Sequence, residues 1–201
     1  DRIGKIGMAA GAAMTAIGGA FSAIIASSKG LNAALGVTAM QIGVTEEELR
    51  NLALETTNVT FPLQEVQKTF DLLARSGITS TEEMQNIANA MDNLADATGY
   101  EASQITEIMI PAFNAFGIEL QDAGNYTDMI THLMRNTTIS MGDFSSTIDR
   151  LSPDIGAMGL TMEQTVAVLE ALADKGIQGS AATREFRIAV SAAKGDQTAF
   201  L

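Results

Sequence analysis

PDIGAMGLTMEQTVAVLEALADKGIQGSAATREFR, residues 153–187, is the stretch whose reading decides the fold class. Thr161 and Gln164 form a T-x-x-Q capping pair, in which hydroxyl and amide satisfy free N–H groups where a helix starts. Val166, Leu169, Leu172 and Ala173 then share one helical face. Gly176 supplies a left-handed C′ position, and Ile177 the apolar contact that commonly follows it. Ser180 restarts a helix whose buried side is predicted to be Ala182, Phe186, Ala189, Val190 and Ala193. The pattern is an αα-hairpin, and it carries no recognisable chemistry.

The same hairpin resembles the core region of phage tail tape-measure proteins. Gly159-Leu160-Thr161 matches the family's Gly-apolar-Thr/Ser helix start. Leu172-Ala173-Asp174-Lys175-Gly176-Ile177 matches its Leu-Ala-x-x-Gly-Ile turn, and Ser180 to Arg187 its Ser-x-Ala-Gly-Thr-x-Leu-Arg stretch. Two positions depart: Thr183 stands where the family usually has Gly, and Phe186 where it has Leu. Upstream, Thr60-Phe61-Pro62, Leu73-Ala74-Arg75-Ser76-Gly77-Ile78 and Leu94-Ala95-Asp96-Ala97-Thr98-Gly99 continue the resemblance, which spans roughly residues 45–190. It implies a structural, non-enzymatic protein of a phage tail or a related injection device. Such proteins lie in the tail-tube lumen or tip as a homo-oligomer (a trimer or hexamer), set tube length during assembly and leave ahead of the DNA. The implied partners are tail-tube and distal tail or baseplate hub proteins, and the host membrane after release. The implied location is the virion tail, after synthesis in the host cytoplasm.

The chain has 201 residues, long enough for one large or two small domains, and is expected to be a piece of a longer polypeptide. Trp is absent, there are 2 Tyr and 3 Pro, and Ala and Met are plentiful, which suits helices and argues against a β-sandwich or barrel. With 0 Cys, neither a disulfide nor a thiolate metal site is available. A net charge of −12 argues against a nucleic-acid surface, which needs Lys and Arg against phosphate.

The acidic residues are concentrated after position 45, and residues 6–28 carry no charge. That first stretch is long enough to cross a hydrocarbon core of ~30 Å. Gly7, Gly11, Thr15 and Gly19 make a small-residue ridge that lets helices approach closely, flanked by Phe21, Ile24 and Ile25. Because Ala and Gly dominate, the residues favour a helix packed against copies of itself or a neighbouring wall, with a membrane span as the alternative. The expected organisation is an Ala/Gly-rich apolar helix over 1–30, a Gly-punctuated link over 31–44, and a helical core domain over 45–201.

Within that core a junction recurs: Gly43-Val44-Thr45, Gly77-Ile78-Thr79, Gly117-Ile118-Glu119 and Gly159-Leu160-Thr161. Three of the four lead into capping pairs, Thr45 with Glu48, Ser80 with Glu83 and Thr161 with Gln164. Each reads as a helix ending on Gly, an apolar contact, then a new helix, which suggests helix pairs stacked in sequence. Between junctions the apolar faces are Leu63/Val66/Phe70/Leu73, Met84/Ile87/Ala88/Met91/Leu94/Ala95, Ile105/Ile108/Met109/Ala112/Phe113/Phe116, and Tyr126/Met129/Ile130/Leu133. A further run through Phe144, Ile148 and Leu151 is expected to stop at Ser152-Pro153. The fold is predicted to be all-α, built of antiparallel helical hairpins in irregular repeats.

No residue pattern demands catalysis, a cofactor or a metal. His132 has only Asp128 one turn away, whereas a zinc site needs about three convergent protein ligands. Glu46-Glu47-Glu48 and Glu82-Glu83 lie in predicted first turns, where negative charge opposes the helix dipole without any substrate. Gly176 to Ser180 lacks the ending and the preceding strand of a phosphate loop. The Met residues are expected to be mostly core. Two rivals to the structural reading are a pore-forming or membrane-anchored helical protein and a helical peptidoglycan hydrolase using two carboxylates.

Overall fold

The structure, a computed structural model, describes residues 29–177 and 179–193. Nine helices run through them: α1 (Lys29–Ile42), α2 (Glu46–Thr56), α3 (Leu63–Arg75), α4 (Thr81–Thr98), α5 (Ala102–Phe116), α6 (Ala123–Asn136), α7 (Met141–Met158), α8 (Met162–Asp174) and α9 (Ser180–Ala193). A single 3-10 turn, Leu120–Asp122, precedes α6, and there is no strand among the described residues. The chain is all-α, as its periodicity predicts.

The four recurrent junctions close α1, α3, α5 and α7. In each the glycine takes a left-handed φ between 64° at Gly159 and 96° at Gly77, which costs a residue without Cβ little. The next amide then donates to the carbonyl five residues back: Val44 to Ala39, Ile78 to Leu73, Ile118 to Phe113 and Leu160 to Ile155, at 2.9–3.2 Å. This is the Schellman arrangement, and its apolar residue turns onto the core. Ile177 after Gly176 repeats it, donating to Leu172 at 2.9 Å. New helices start on the expected side chains, with reciprocal capping boxes at Thr45/Glu48 and Thr161/Gln164 and a one-way cap from Ser80 to the Glu83 amide.

Packing sorts the helices by parity. α1, α3, α5, α7 and α9 stack each on the next, and so do α2, α4, α6 and α8, while several chain neighbours close the two rows against each other. The sequence repeat is therefore a two-helix unit, an odd helix ending on Gly followed by an even one. The core runs along the seam between the rows. Phe61, Phe70, Phe113, Phe144 and Phe186 are fully buried there with Leu35, Leu49, Leu73, Met84, Met91 and Leu94. Each contributes roughly 1.5–3 kcal/mol by leaving water. Most buried threonines fit this apolar seam because their hydroxyls donate to carbonyls one turn back, as Thr106 does to Ala102 at 2.8 Å and Thr165 to Thr161 at 3.0 Å, whereas Thr69 Oγ1 has no such partner.

Two expectations are corrected. Residues 31–44, expected to be a Gly-punctuated link, are helical over most of their length, because α1 covers Lys29–Ile42. Gly30 and Gly36 each cost about 1 kcal/mol in a helix, but Leu35, Thr38, Ala39 and Ile42 are buried where α1 packs on α2 and α3. Nor does the helix of Phe144 stop at Ser152-Pro153: α7 continues to Met158 with Pro153 inside. The proline forfeits one backbone hydrogen bond, at a cost of about 3 kcal/mol. Burial of Ile155 and Met158 on the far side carries the helix through. On α9 the buried stripe is narrower than predicted, Ala182, Phe186 and Val190, and Ala189 faces out.

Candidate functional site

Polar groups within the bundle are spent on holding helices together. Glu65 on α3 accepts from Ser103 Oγ of α5 at 2.7 Å and from Lys68 Nζ at 2.6 Å, and Glu101 stands 3.9 Å from the same ammonium. Burial pushes the Glu65 carboxyl up, but the bonds from Lys68 and Ser103 outweigh it and hold it below the ordinary range. The turn after α2 is fastened to α4 by Asn58, whose Nδ2 donates to Asp92 at 3.0 Å, and by Thr60, which donates to Asp96 at 3.1 Å.

Asp92 is 6% exposed. Burial raises its pKa, the Asn58 bond opposes that, and the nearby Asp96 charge adds to it. A raised carboxyl pKa means that the fold prefers the protonated form. Stability is therefore lost as pH rises through the folded pKa and regained on acidification. Asp92→Asn keeps an acceptor for Asn58 without the charge. It is expected to raise Tm at neutral pH by a few degrees, with a gain that fades under acid; a drop in Tm at neutral pH would refute this cost.

Each candidate for chemistry has a structural place. Glu46, Glu47 and Glu48 occupy the first turn of α2, and Glu82 and Glu83 that of α4. The Glu48 carboxylate accepts from the Thr45 amide and hydroxyl at 2.9 and 2.8 Å, which lowers its pKa. Glu46 is paired with Arg50. His132 is an exposed side chain whose Nδ1 meets Glu170 at 2.9 Å, linking α6 to α8. Among the described residues no group of three or more His, Asp or Glu is placed to hold a metal ion. Of the methionines, Met84, Met91, Met109 and Met141 are in the core, and Met129 and Met134 pack at its edge.

Hollows remain in the stack. One of about 230 Å³ between α7 and α9 is lined by Arg150, Arg184, Arg187, Ser146 and Ser180, with Asp143 at its side. Its three arginines stand beside the Asp143 carboxylate, which accepts from the Ser140 hydroxyl at 2.8 Å as part of a helix cap. Thr147 and Thr183 are bonded to each other there at 3.0 Å. A wider groove of about 790 Å³, where α5 to α8 converge, includes Phe116, Ile118, Tyr126, Leu160 and Glu163. Tyr126 stacks obliquely on Phe113, centroids 6.0 Å apart, and its pKa is raised by burial and by the Glu163 carboxylate.

The exposed large apolar side chains are Val37 and Met40 of α1, Val59, Tyr100 and Ile188. Val37 and Met40 fall in the stretch read as a link, so their shared helical face was missed. The signal was there: the i, i+3 spacing of an uncharged run. The Glu101/Gln104 and Ser140/Asp143 capping boxes were missed as well. Both follow the same spacing rule, with Glu or Asp in the less common positions. Gly7, Gly11, Thr15, Gly19, Phe21, Ile24 and Ile25, the expected self-association or membrane face, lie outside the described residues. Among the described residues no helix is long and apolar enough to cross a membrane.

The described residues form a two-row helical stack with capped helix starts, glycine-closed ends and polar side chains that brace one helix to another. Residues 50–200 match the model of a family described as phage-related minor tail protein, and the chain belongs to that family. It is also 29% identical over 161 residues to the tape measure protein of Pneumococcus phage Dp-1, a match covering 80% of this chain and 14% of that protein. The chain thus spans about one seventh of the length of this curated relative. No solved structure matches it.

Proposed function

We propose that this chain is a folded, non-enzymatic segment of a tape-measure protein, a structural part of the tail. The parent protein sits in the tail-tube lumen, sets tail length in assembly and leaves ahead of the DNA. The observation that carries this reading is the family match over residues 50–200, together with the likeness to a tape measure protein. The architecture refines it. A ruler gains length from continuous helix at about 1.5 Å per residue, whereas the longest helices here have 18 residues and fold back on one another. Residues 45–193 therefore serve as a compact docking body at the tail end, against tube and hub proteins, and contribute little to the measured length.

Ile6 to Ile25 forms the self-associating helix of a trimer or hexamer in the assembled particle, a symmetry compatible with the tube. The same stretch meets the host bilayer after release. Negative-stain images of intact tails labelled within α4 should show label at one end of the tube; label spread along it would refute the docking role. Light scattering of the purified chain at high concentration should show oligomers that are lost on Gly11→Leu. A strictly monomeric chain would remove self-association. Flotation with anionic and neutral liposomes should be weakened by Ile24→Glu, and an unchanged floating fraction would remove the membrane step.

A further inference from the structure

Among the described residues the stack has an uncovered end. In this fold each helix lies on its chain neighbour or on the helix two positions away, so an element preceding α1 belongs against α1 and α2. That place holds a groove of about 400 Å³, formed by Ala33, Gly36, Val37, Met40 and Val44 with Glu46 of α2 at its edge. Val37 is 56% and Met40 76% exposed. End units of a helical stack normally turn a polar face outward, whereas this one bears no charge between Gly30 and Thr45. Asn32 lines the groove too, and its side-chain Oδ1 is buried with no hydrogen-bond partner among the described residues. Missing from this end, then, are an apolar surface and a hydrogen-bond donor.

We infer that the groove is the seat of residues 6–28 of the same chain, which dock there as the missing first element of the stack before assembly. Those 23 residues are uncharged, contain apolar Phe21, Ile24 and Ile25, and carry hydroxyl donors at Thr15, Ser22, Ser27 and Ser28. They end where α1 begins, so the link between segment and groove is short. Gly36 lets the incoming backbone approach closely: a Cβ there would meet only the Glu46 side chain, at 3.5 Å. Chain connection decides against a second copy in dilute solution. A short link presents the segment at an effective concentration of about millimolar, far above that of free chains. In the crowded particle other copies compete for the same apolar surface, so docking in solution and self-association in the tail are alternative uses of one segment.

The chain has no cysteine, which permits a clean test in the full-length protein. Met40→Cys is paired in turn with Ala13→Cys, Ala16→Cys and Ala20→Cys, and each variant is oxidised at low micromolar concentration and again after dilution. The expected result is a disulfide within one chain for at least one pair, in a fraction that dilution does not change. Val37→Asp in the same background should reduce that fraction severalfold while circular dichroism shows the helices intact. Disulfide-linked dimers that disappear on dilution would overturn the inference and assign the groove to a second copy. No disulfide for any pair would overturn it as well. Neither failure bears on the tail assignment, which rests on the family match and the labelled tails.

Discussion

Phe113→Ala is expected to lower the free energy of unfolding by about 3–5 kcal/mol. The ring is fully buried on α5, in the middle of the odd row, between α3 and α7 and against α4 of the other row. Its oblique contact with Tyr126 reaches over to α6, and the Phe113 carbonyl receives the Ile118 amide at the glycine junction. Truncation leaves a cavity that fixed helices on several sides are poorly able to fill, so the lost transfer energy and the lost contacts add. Urea denaturation should show a lower midpoint with an unchanged slope. A loss below about 1 kcal/mol, the level of an average substitution, would mean that the seam near α5 is not closely packed.

Phe186→Ala removes as much apolar volume and should produce a different result. Phe186 is the one large buried side chain of α9, beside Ala182 and Val190, and α9 packs on α7 and α8 as the last helix of the odd row among the described residues. In a stack where units touch only their neighbours, an end unit comes away without unfolding the rest. Hydrogen exchange should show amides of Ser180–Ala193 losing most of their protection while those of α4 and α5 keep theirs. The circular dichroism loss should be limited to one helix. Unfolding of the whole chain in one step with α9, or retained protection in α9, would show that the stack is not segmental at this end. The contrast between the two phenylalanines follows from position in the row, since both are fully buried.

Much of this was readable in the residues. Thr45 with Glu48 and Thr161 with Gln164 mark helix starts because a capping box is a local exchange of hydrogen bonds across three residues. The glycines at 43, 77, 117, 159 and 176 mark helix ends because only that residue type enters the left-handed region cheaply. The apolar faces of α3, α4 and α5 follow from a 3.6-residue period. The misreadings have a common cause. α1 contains two glycines and α7 a proline, local penalties of about 1 and 3 kcal/mol that a window of sequence counts in full. Burial of Leu35, Ile42, Ile155 and Met158 against distant helices offsets them, and no local window contains those partners.

The candidate surfaces divide in the same way. That Glu46 to Glu48 cap a helix, and that residues 6–28 form an uncharged unit, was decided by sequence alone, because charge and spacing act within a turn or two. That α1 exposes Val37 and Met40 beside α2, that Glu65 ties α3 to α5 through Ser103, and that odd and even helices form separate rows was decided only by the tertiary structure. Those features depend on which faces meet across 30 or more residues of chain. A helix's own periodicity states that it has an apolar face. What covers that face is a property of its neighbours.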